Sequence, residues 1–188
     1  MEPMIIEVAE DTPSIAYRAR RLPARHAEFV REEIDRLMEK GIIVRAKSRF
    51  ASPILVVPKK GNKFRMVIDY RRINTCIVDM SFPLPDIESI FHALQGQEWF
   101  ATVDLKSGYH QISVETRSQQ YTAFASSEGL FQFKRIPVGI KTAPIYFQKC
   151  MSEAFSDLIM RSCIIYIDDI IIFGKSKDEF IKNFEEVM

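Results

Sequence analysis

The chain has 188 residues, of which 47% are hydrophobic and 27% charged, enough to bury a core as one large domain or two small subdomains. No apolar run approaches the roughly 18 residues of a membrane span, and the short acidic opening Met1-Glu-Pro-Met-Ile-Ile-Glu7 does not read as a signal peptide. Net charge is +1, but Lys and Arg outnumber Asp and Glu 16 to 6 from Tyr17 to Arg72, whereas residues 73–188 carry 10 against 15. That asymmetry suggests a surface for a polyanion and, elsewhere, a site for cations. Cys76, Cys150 and Cys163 lack metal-ligand spacing and read as reduced thiols of an intracellular protein.

Residues 1–16 read as a poorly structured lead-in. A helix is expected from about Pro23 to Lys40, with Phe29, Ile34, Leu37 and Met38 as a broken apolar stripe and Gly41 as its stop. A short strand at Ile42–Val44 and a turn at Ser48–Pro53 come next. Two strands, Ile54–Pro58 and Phe64–Asp69, flank the tip Lys59-Lys-Gly-Asn-Lys63. The tip is either an edge loop made soluble by lysine or a positive finger for phosphates with Arg65 behind it. Tyr70-Arg-Arg-Ile-Asn74 closes the second strand with two more cations. Asp86 caps a helix to Leu94. The strand Trp99–Leu105 places Phe100, Thr102 and Asp104 on one face. Strands are expected at Gln111–Val114, Tyr121–Ala125 and Leu130–Ile136, with a sharp break at Pro137-Val-Gly139. A long helix should run from Thr142 or Ala143 to about Leu158, and Ser176 with Glu179 forms a capping box for a last helix.

Between those helices, the apolar runs Cys163–Ile167 and Ile170–Phe173 enclose Asp168-Asp169, a hairpin with two carboxylates at its turn. Adjacent carboxylates there are either a solvated turn or, with a cation on them, a site. The element order describes an α+β fold, an antiparallel sheet with helices on one face, that can bring Asp104 beside Asp168. Three converging carboxylates match Mg²⁺ with part of its shell supplied by phosphates, and two such ions suit in-line phosphoryl transfer. His26, His92 and His110 show no zinc-ligand spacing.

An ordered set of stretches resembles the reverse transcriptase domain of long-terminal-repeat retrotransposons, the Ty3/gypsy group and its retroviral relatives. They are Glu39-Lys-Gly-Ile-Ile43, Ala51-Ser-Pro-Ile54, Phe64-Arg-Met-Val-Ile-Asp-Tyr-Arg71, Phe82-Pro-Leu-Pro85 and Thr102-Val-Asp-Leu-Lys-Ser-Gly-Tyr-His-Gln-Ile112. Thr122-Ala-Phe124, Pro137-Val-Gly139, Ala143-Pro144, Phe147-Gln148 and Tyr166-Ile-Asp-Asp169 complete the series. The resemblance implies a polymerase palm with an antiparallel sheet backed by helices, plus a small fingers lobe, the chain stopping before the thumb. It divides the chain into the lead-in 1–16, a fingers-like basic region 17–85 and a palm-like region 86–188, with thumb, connection and ribonuclease H absent.

The same resemblance implies an RNA-directed DNA polymerase acting on an RNA or DNA template with a DNA primer and deoxynucleoside triphosphates. Asp104, Asp168 and Asp169 match its catalytic, metal-binding aspartates, holding two Mg²⁺ ions for which Mn²⁺ substitutes. Lys59, Lys60 or Lys63, with Arg65, match the cations on the incoming triphosphate. Tyr109 matches the aromatic gate that excludes a 2′-hydroxyl; on its residues alone it also fits a half-buried core position. Val138 and Gly139, and Gln148 on the template-side helix, complete the substrate-binding set. Val138 departs from the Phe usual between this Pro and Gly, and Lys141-Thr142 from the usual Thr-Asn. Protease, ribonuclease H and integrase are the expected neighbours in a Pol polyprotein, with cytoplasmic location, within retrotransposon particles, and no membrane partner. A catalytically inactive nucleic-acid-binding remnant is the alternative. A two-metal nuclease fits less well with the basic finger and Tyr109.

Overall fold

A computed structural model of the chain describes residues 1–61 and 63–188; Asn62, in the anticipated lysine-rich tip, lies outside the described residues. In chain order the elements are α1 (Ala24–Glu39), β1 (Ile43–Arg45), β2 (Ser52–Lys59), β3 (Lys63–Ile68), α2 (Arg71–Asn74), α3 (Ile87–Leu94) and β4 (Trp99–Asp104). Then come β5 (Phe124–Ser126), β6 (Gly129–Phe133), α4 (Ala143–Ala154), β7 (Cys163–Tyr166), β8 (Asp169–Gly174) and α5 (Lys177–Val187). The class is α+β, and among these strands every pairing is antiparallel except that between β2 and β5. No helix among the described residues is long and apolar enough to cross a membrane.

The elements gather into two compact units, residues 1–79 with 109–143 and residues 80–108 with 144–188. The expected boundary near residue 85 is therefore not where the contacts divide the chain. Residues 109–143 pack with the basic region because β6 pairs with β1 and β5 with β2, in the sheet order β1-β6-β5-β2-β3. Local signals place α1 well: Pro23 precedes it, Gly41 at φ +63° ends it, and Val30, Ile34 and Leu37 are its buried stripe. Phe124 lies among Phe131 and Phe133 in the core of this unit, and the buried Tyr70 hydroxyl donates to Thr122 O at 2.8 Å.

Three expectations are corrected in this unit. The lead-in is an ordered strap: Met4 N–H donates to Ser113 O and Glu115 N–H to Met4 O, both at 2.8 Å, and Val78 N–H donates to Glu7 O at 2.9 Å. Its alternating Met4 and Ile6 are buried, which is what a period-two segment against a sheet edge gains from docking. The strand expected at 111–114 is reduced to isolated bridges at Ser113 and Val114 after the 3-10 turn Gly108–Gln111, and that expected at 121–125 begins only at Phe124, after the 3-10 turn Gln119–Thr122. The Thr122 hydroxyl donates to Gln119 O at 2.7 Å and accepts from Phe133 N–H at 2.9 Å, so side-chain bonding competes with the ladder. Tyr70–Asn74, expected to close a strand, turns into α2.

The second unit is built on the three-stranded antiparallel sheet β4-β8-β7. Asp86 caps α3 as expected, accepting from Ser89 N–H at 2.8 Å. Ser176 caps α5 and accepts from Glu179 N–H at 3.2 Å, while the Glu179 carboxylate accepts from Lys175 N–H at 2.9 Å. α5 backs the sheet through Phe180 against Trp99 and through buried Asn183, which donates to Phe173 O at 2.8 Å. α4 stops at Ala154, four residues before the expected Leu158, and turns lead into β7.

Candidate functional site

In the second unit the register decides what the carboxylates can do. β4 pairs with β8 so that Asp104 stands opposite Asp169, and β7 pairs with β8 so that Tyr166 stands opposite the same Asp169. Antiparallel partners are about 4.5–5.5 Å apart at Cα and share a face. Asp104, Asp169 and Tyr166 therefore form one row across the end of the sheet, all exposed, and the rows below are closed by buried Ile165, Ile170 and Ile172. Like charges set directly opposite each other weaken a strand pair unless something binds them.

The turn is offset by one residue from the sequence expectation. Its two central residues are Ile167 and Asp168, and Asp169 already belongs to β8. Ile167 has φ +58°, while Asp168 is not left-handed, the pattern of a type II′ hairpin turn. Glycine is the usual residue at that first position. A β-branched side chain in the left-handed region costs about 1–2 kcal/mol. Gln148 on α4 offsets that cost: its Oε1 accepts from Ile167 N–H at 2.6 Å and its Nε2 donates to Ile165 O at 3.2 Å. Gln148 is 1% exposed, so the residue expected on the template side is spent inside the unit on the acidic hairpin.

Among the described residues, no three His, Cys, Asp or Glu side chains lie close enough together to hold an ion by themselves. The three aspartates supply exposed hard oxygens on one sheet edge without enclosing a cage. That donor set fits a cation which takes the rest of its shell from water or phosphate, as Mg²⁺ does. The thiols do not compete for it: burial pushes the Cys163 thiol up to about 11 and also raises Cys150.

In the first unit the cations expected at the finger tip fall on one face of the β2–β3 ribbon. Lys59 pairs with Lys63, and Val57 with Arg65, so Lys59, Lys63 and Arg65 share a side, all exposed. Phe64 turns to the opposite side, where His26 and Phe29 of α1 meet its ring and the Arg25 guanidinium lies 5.0 Å over its centre. Lys60 and Gly61, the latter at φ +79°, form the described part of the tip.

Val138 and Gly139 lie in an exposed loop of the same unit that is fastened by Asn74, a residue sequence reasoning passed over. Asn74 Nδ2 donates to Gly139 O at 2.8 Å, and its Oδ1 accepts from Lys141 N–H at 3.0 Å. Gly139 has φ +103°, where any side chain would be strained, and a Cβ there would rest against the Tyr70 ring. Tyr109 is half-buried in the turn after Gly108, where a Cβ would come within 2.8 Å of the Phe147 ring. Tyr17, Arg20, Arg71, Arg72 and Thr75 line a further concavity, in which the Arg71 guanidinium holds the Asp69 carboxyl at about 2. Burial raises the Tyr70 phenol well above its ordinary range, so it serves as a neutral donor.

Comparison with known proteins places this chain. A family model described as reverse transcriptase (RNA-dependent DNA polymerase) matches residues 57–188, and the chain belongs to that family of nucleotidyltransferases, which generally work with divalent metal ions. Among its relatives, the Retrovirus-related Pol polyprotein from transposon 412 of Drosophila melanogaster is 38% identical over 89% of the chain and 14% of its own length. Transposon Tf2-3 polyprotein of Schizosaccharomyces pombe is 33% identical over 97% of the chain and 14% of its own length. The chain thus spans about one seventh of the length of these retrotransposon polyproteins. In fold it matches the foamy viral protease-reverse transcriptase in complex with RNA/DNA hybrid, at a TM-score of 0.87 and 24% identity, over all of this chain and 25% of that one.

Proposed function

We propose that the chain carries the nucleotide-adding part of a reverse transcriptase, which joins deoxynucleotides to a primer 3′-hydroxyl on an RNA or DNA template. The observation that carries this reading is the register that sets Asp104 opposite Asp169, with Asp168 at the adjoining turn. Asp104, Asp168 and Asp169 would hold two Mg²⁺ ions, or Mn²⁺ in their place, which supply charge for the attacking and leaving oxygens of the transfer. The carboxylates' own task is to keep negative charge fixed on an exposed edge, so that cation and phosphate are bound together. Lys59, Lys60 and Lys63 supply point charge to the triphosphate, and Arg65, planted on a strand, supplies a planar two-pronged donor. Tyr109 would exclude a 2′-hydroxyl by collision, and the Val138–Gly139 loop would contact the nucleotide or template. Nucleic acid as partner is supported by solved relatives whose complexes hold RNA/DNA hybrid and double-stranded DNA. Placement within a longer Pol polyprotein is supported by the relatives to which the chain is similar, and a neighbouring protease by the foamy viral protease-reverse transcriptase it matches in fold.

The test is primer extension with Mg²⁺ or Mn²⁺, using this domain joined to the downstream regions of a Pol polyprotein. Template-directed addition of deoxynucleotides that Asp168→Asn abolishes is the expected result. Addition that survives Asp168→Asn undiminished would remove the reading. Release of nucleotides from the strand without template-directed addition would move it to a nuclease.

A further inference from the structure

We infer that Gln148 is a positioning residue that holds the Ile167–Asp168 turn in its left-handed form and so fixes the direction of the Asp168 carboxylate. The inference rests on the polymerase reading above and adds a residue to it. In a two-residue hairpin the first central N–H has no partner in the ladder. Here that N–H, on Ile167, donates to Gln148 Oε1 at 2.6 Å. The same amide donates from Nε2 to Ile165 O at 3.2 Å, two residues back on β7, and to Ser152 Oγ at 3.3 Å along α4.

The glutamine amide presents an acceptor and a donor at the end of one side chain, so it serves both backbone groups at once. Glutamate could only accept, methionine of like size does neither, and asparagine is one methylene too short to span both. The side chain is 1% exposed, with both ends engaged on protein, so it acts through the hairpin and not by touching substrate.

The two aspartates of the hairpin are held differently. Asp169 is set by the ladder, between Asp104 and Tyr166. Asp168 lies outside the ladder, one peptide after an isoleucine in an unfavourable backbone region. Its orientation follows the Ile167 backbone, and Gln148 bonds directly to that residue from another element. Gln148 should therefore govern what Asp168 contributes while leaving the strand pairing unchanged.

The test uses the 188-residue chain with two readouts: amide hydrogen exchange by NMR and Mn²⁺ binding by water proton relaxation. In Gln148→Met the Ile167 amide should lose protection while the ladder amides of Ile164 and Ile170 keep theirs. The Mn²⁺ dissociation constant should rise about tenfold or more, the usual effect of removing a group that orients a metal ligand. Adding Ile167→Gly should recover most of that affinity, because glycine adopts the left-handed turn without steric cost. A glutamine that merely packs would not be rescued in this way. Unchanged Mn²⁺ affinity in Gln148→Met, persistent Ile167 protection, or no rescue by glycine would each overturn the inference. If Gln148→Met does not fold, Gln148→Asn takes its place with the same rescue expected. Wild-type chain whose Mn²⁺ binding ignores Asp168→Asn would sink the polymerase reading and this inference together. Loss of Ile167 protection with metal affinity intact would sink the inference alone.

Discussion

The two units each present a charged hairpin, and they are built in opposite ways. The basic ribbon β2–β3 turns at a tip that contains Gly61, a residue suited to φ +79°, and repeats its charge along one face through Lys59, Lys63 and Arg65. The acidic hairpin β7–β8 turns through Ile167 in a region that β-branched residues avoid, and it is fastened from α4 by a buried amide. A surface that binds phosphates through several point charges tolerates small displacements of each one. A carboxylate pair that shares an ion does not, because the ion fixes the separation of its ligands. Local backbone strain is thus found on the side where geometry matters most, and there a specific hydrogen bond supports it.

The largest effect that would test this contrast is on the acidic side. Asp104→Asn and Asp168→Asn are each expected to lower nucleotide incorporation by about three powers of ten or more, with a thermal midpoint no lower than the wild type's, since volume is kept and a like-charge repulsion is relieved. Asp169→Asn is expected to cost less. Primer extension and circular-dichroism melts on the same preparations check this.

Replacing Lys59, Lys60, Lys63 and Arg65 together by Ala should act on binding instead of chemistry. Affinity for a primer-template duplex should weaken, and its dependence on salt should flatten, because fewer counterions are released. A titration across a salt series reads both quantities. A slope equal to the wild type's would show that the ribbon face does not meet phosphates.

Two stability measurements probe what holds the first unit together. Met4→Ala removes a fully buried side chain of the strap and should cost about 2–5 kcal/mol, read by urea unfolding. Asn74→Ala removes two hydrogen bonds from the Val138–Gly139 loop and should cost less, about 1–2 kcal/mol.

The smallest effect is on acid stability. Arg71 holds the folded Asp69 carboxyl at about 2, below its ordinary value near 3.9. The pair therefore contributes above about pH 4 and its contribution is lost as pH falls from there through about 2. Arg71→Ala should lower the melting temperature slightly at pH 7, with the difference from the wild type shrinking below about pH 4 and vanishing only below about pH 2.

Elements with local signals are legible in the amino-acid sequence. Pro23 and Gly41 bracket α1, Asp86 and Ser176 cap α3 and α5, and short apolar β-branched runs mark β7 and β8, because caps and composition act within a few residues. The placing of Asp104 beside the acidic hairpin is legible too, through the order of strands and helices. Other features had to await tertiary contacts, since strand register and docking depend on partners far away in the chain. Met4 and Ile6 become a strap only because Ser113, Glu115 and Ser118 offer it bonds. Residues 109–143 pack with the basic region because β5 and β6 find their partners in β2 and β1. Tyr166 pairing with Asp169 moved the turn from Asp168-Asp169 to Ile167-Asp168. Gln148, nineteen residues from Ile167, meets its N–H through a hydrogen bond that no local pattern encodes.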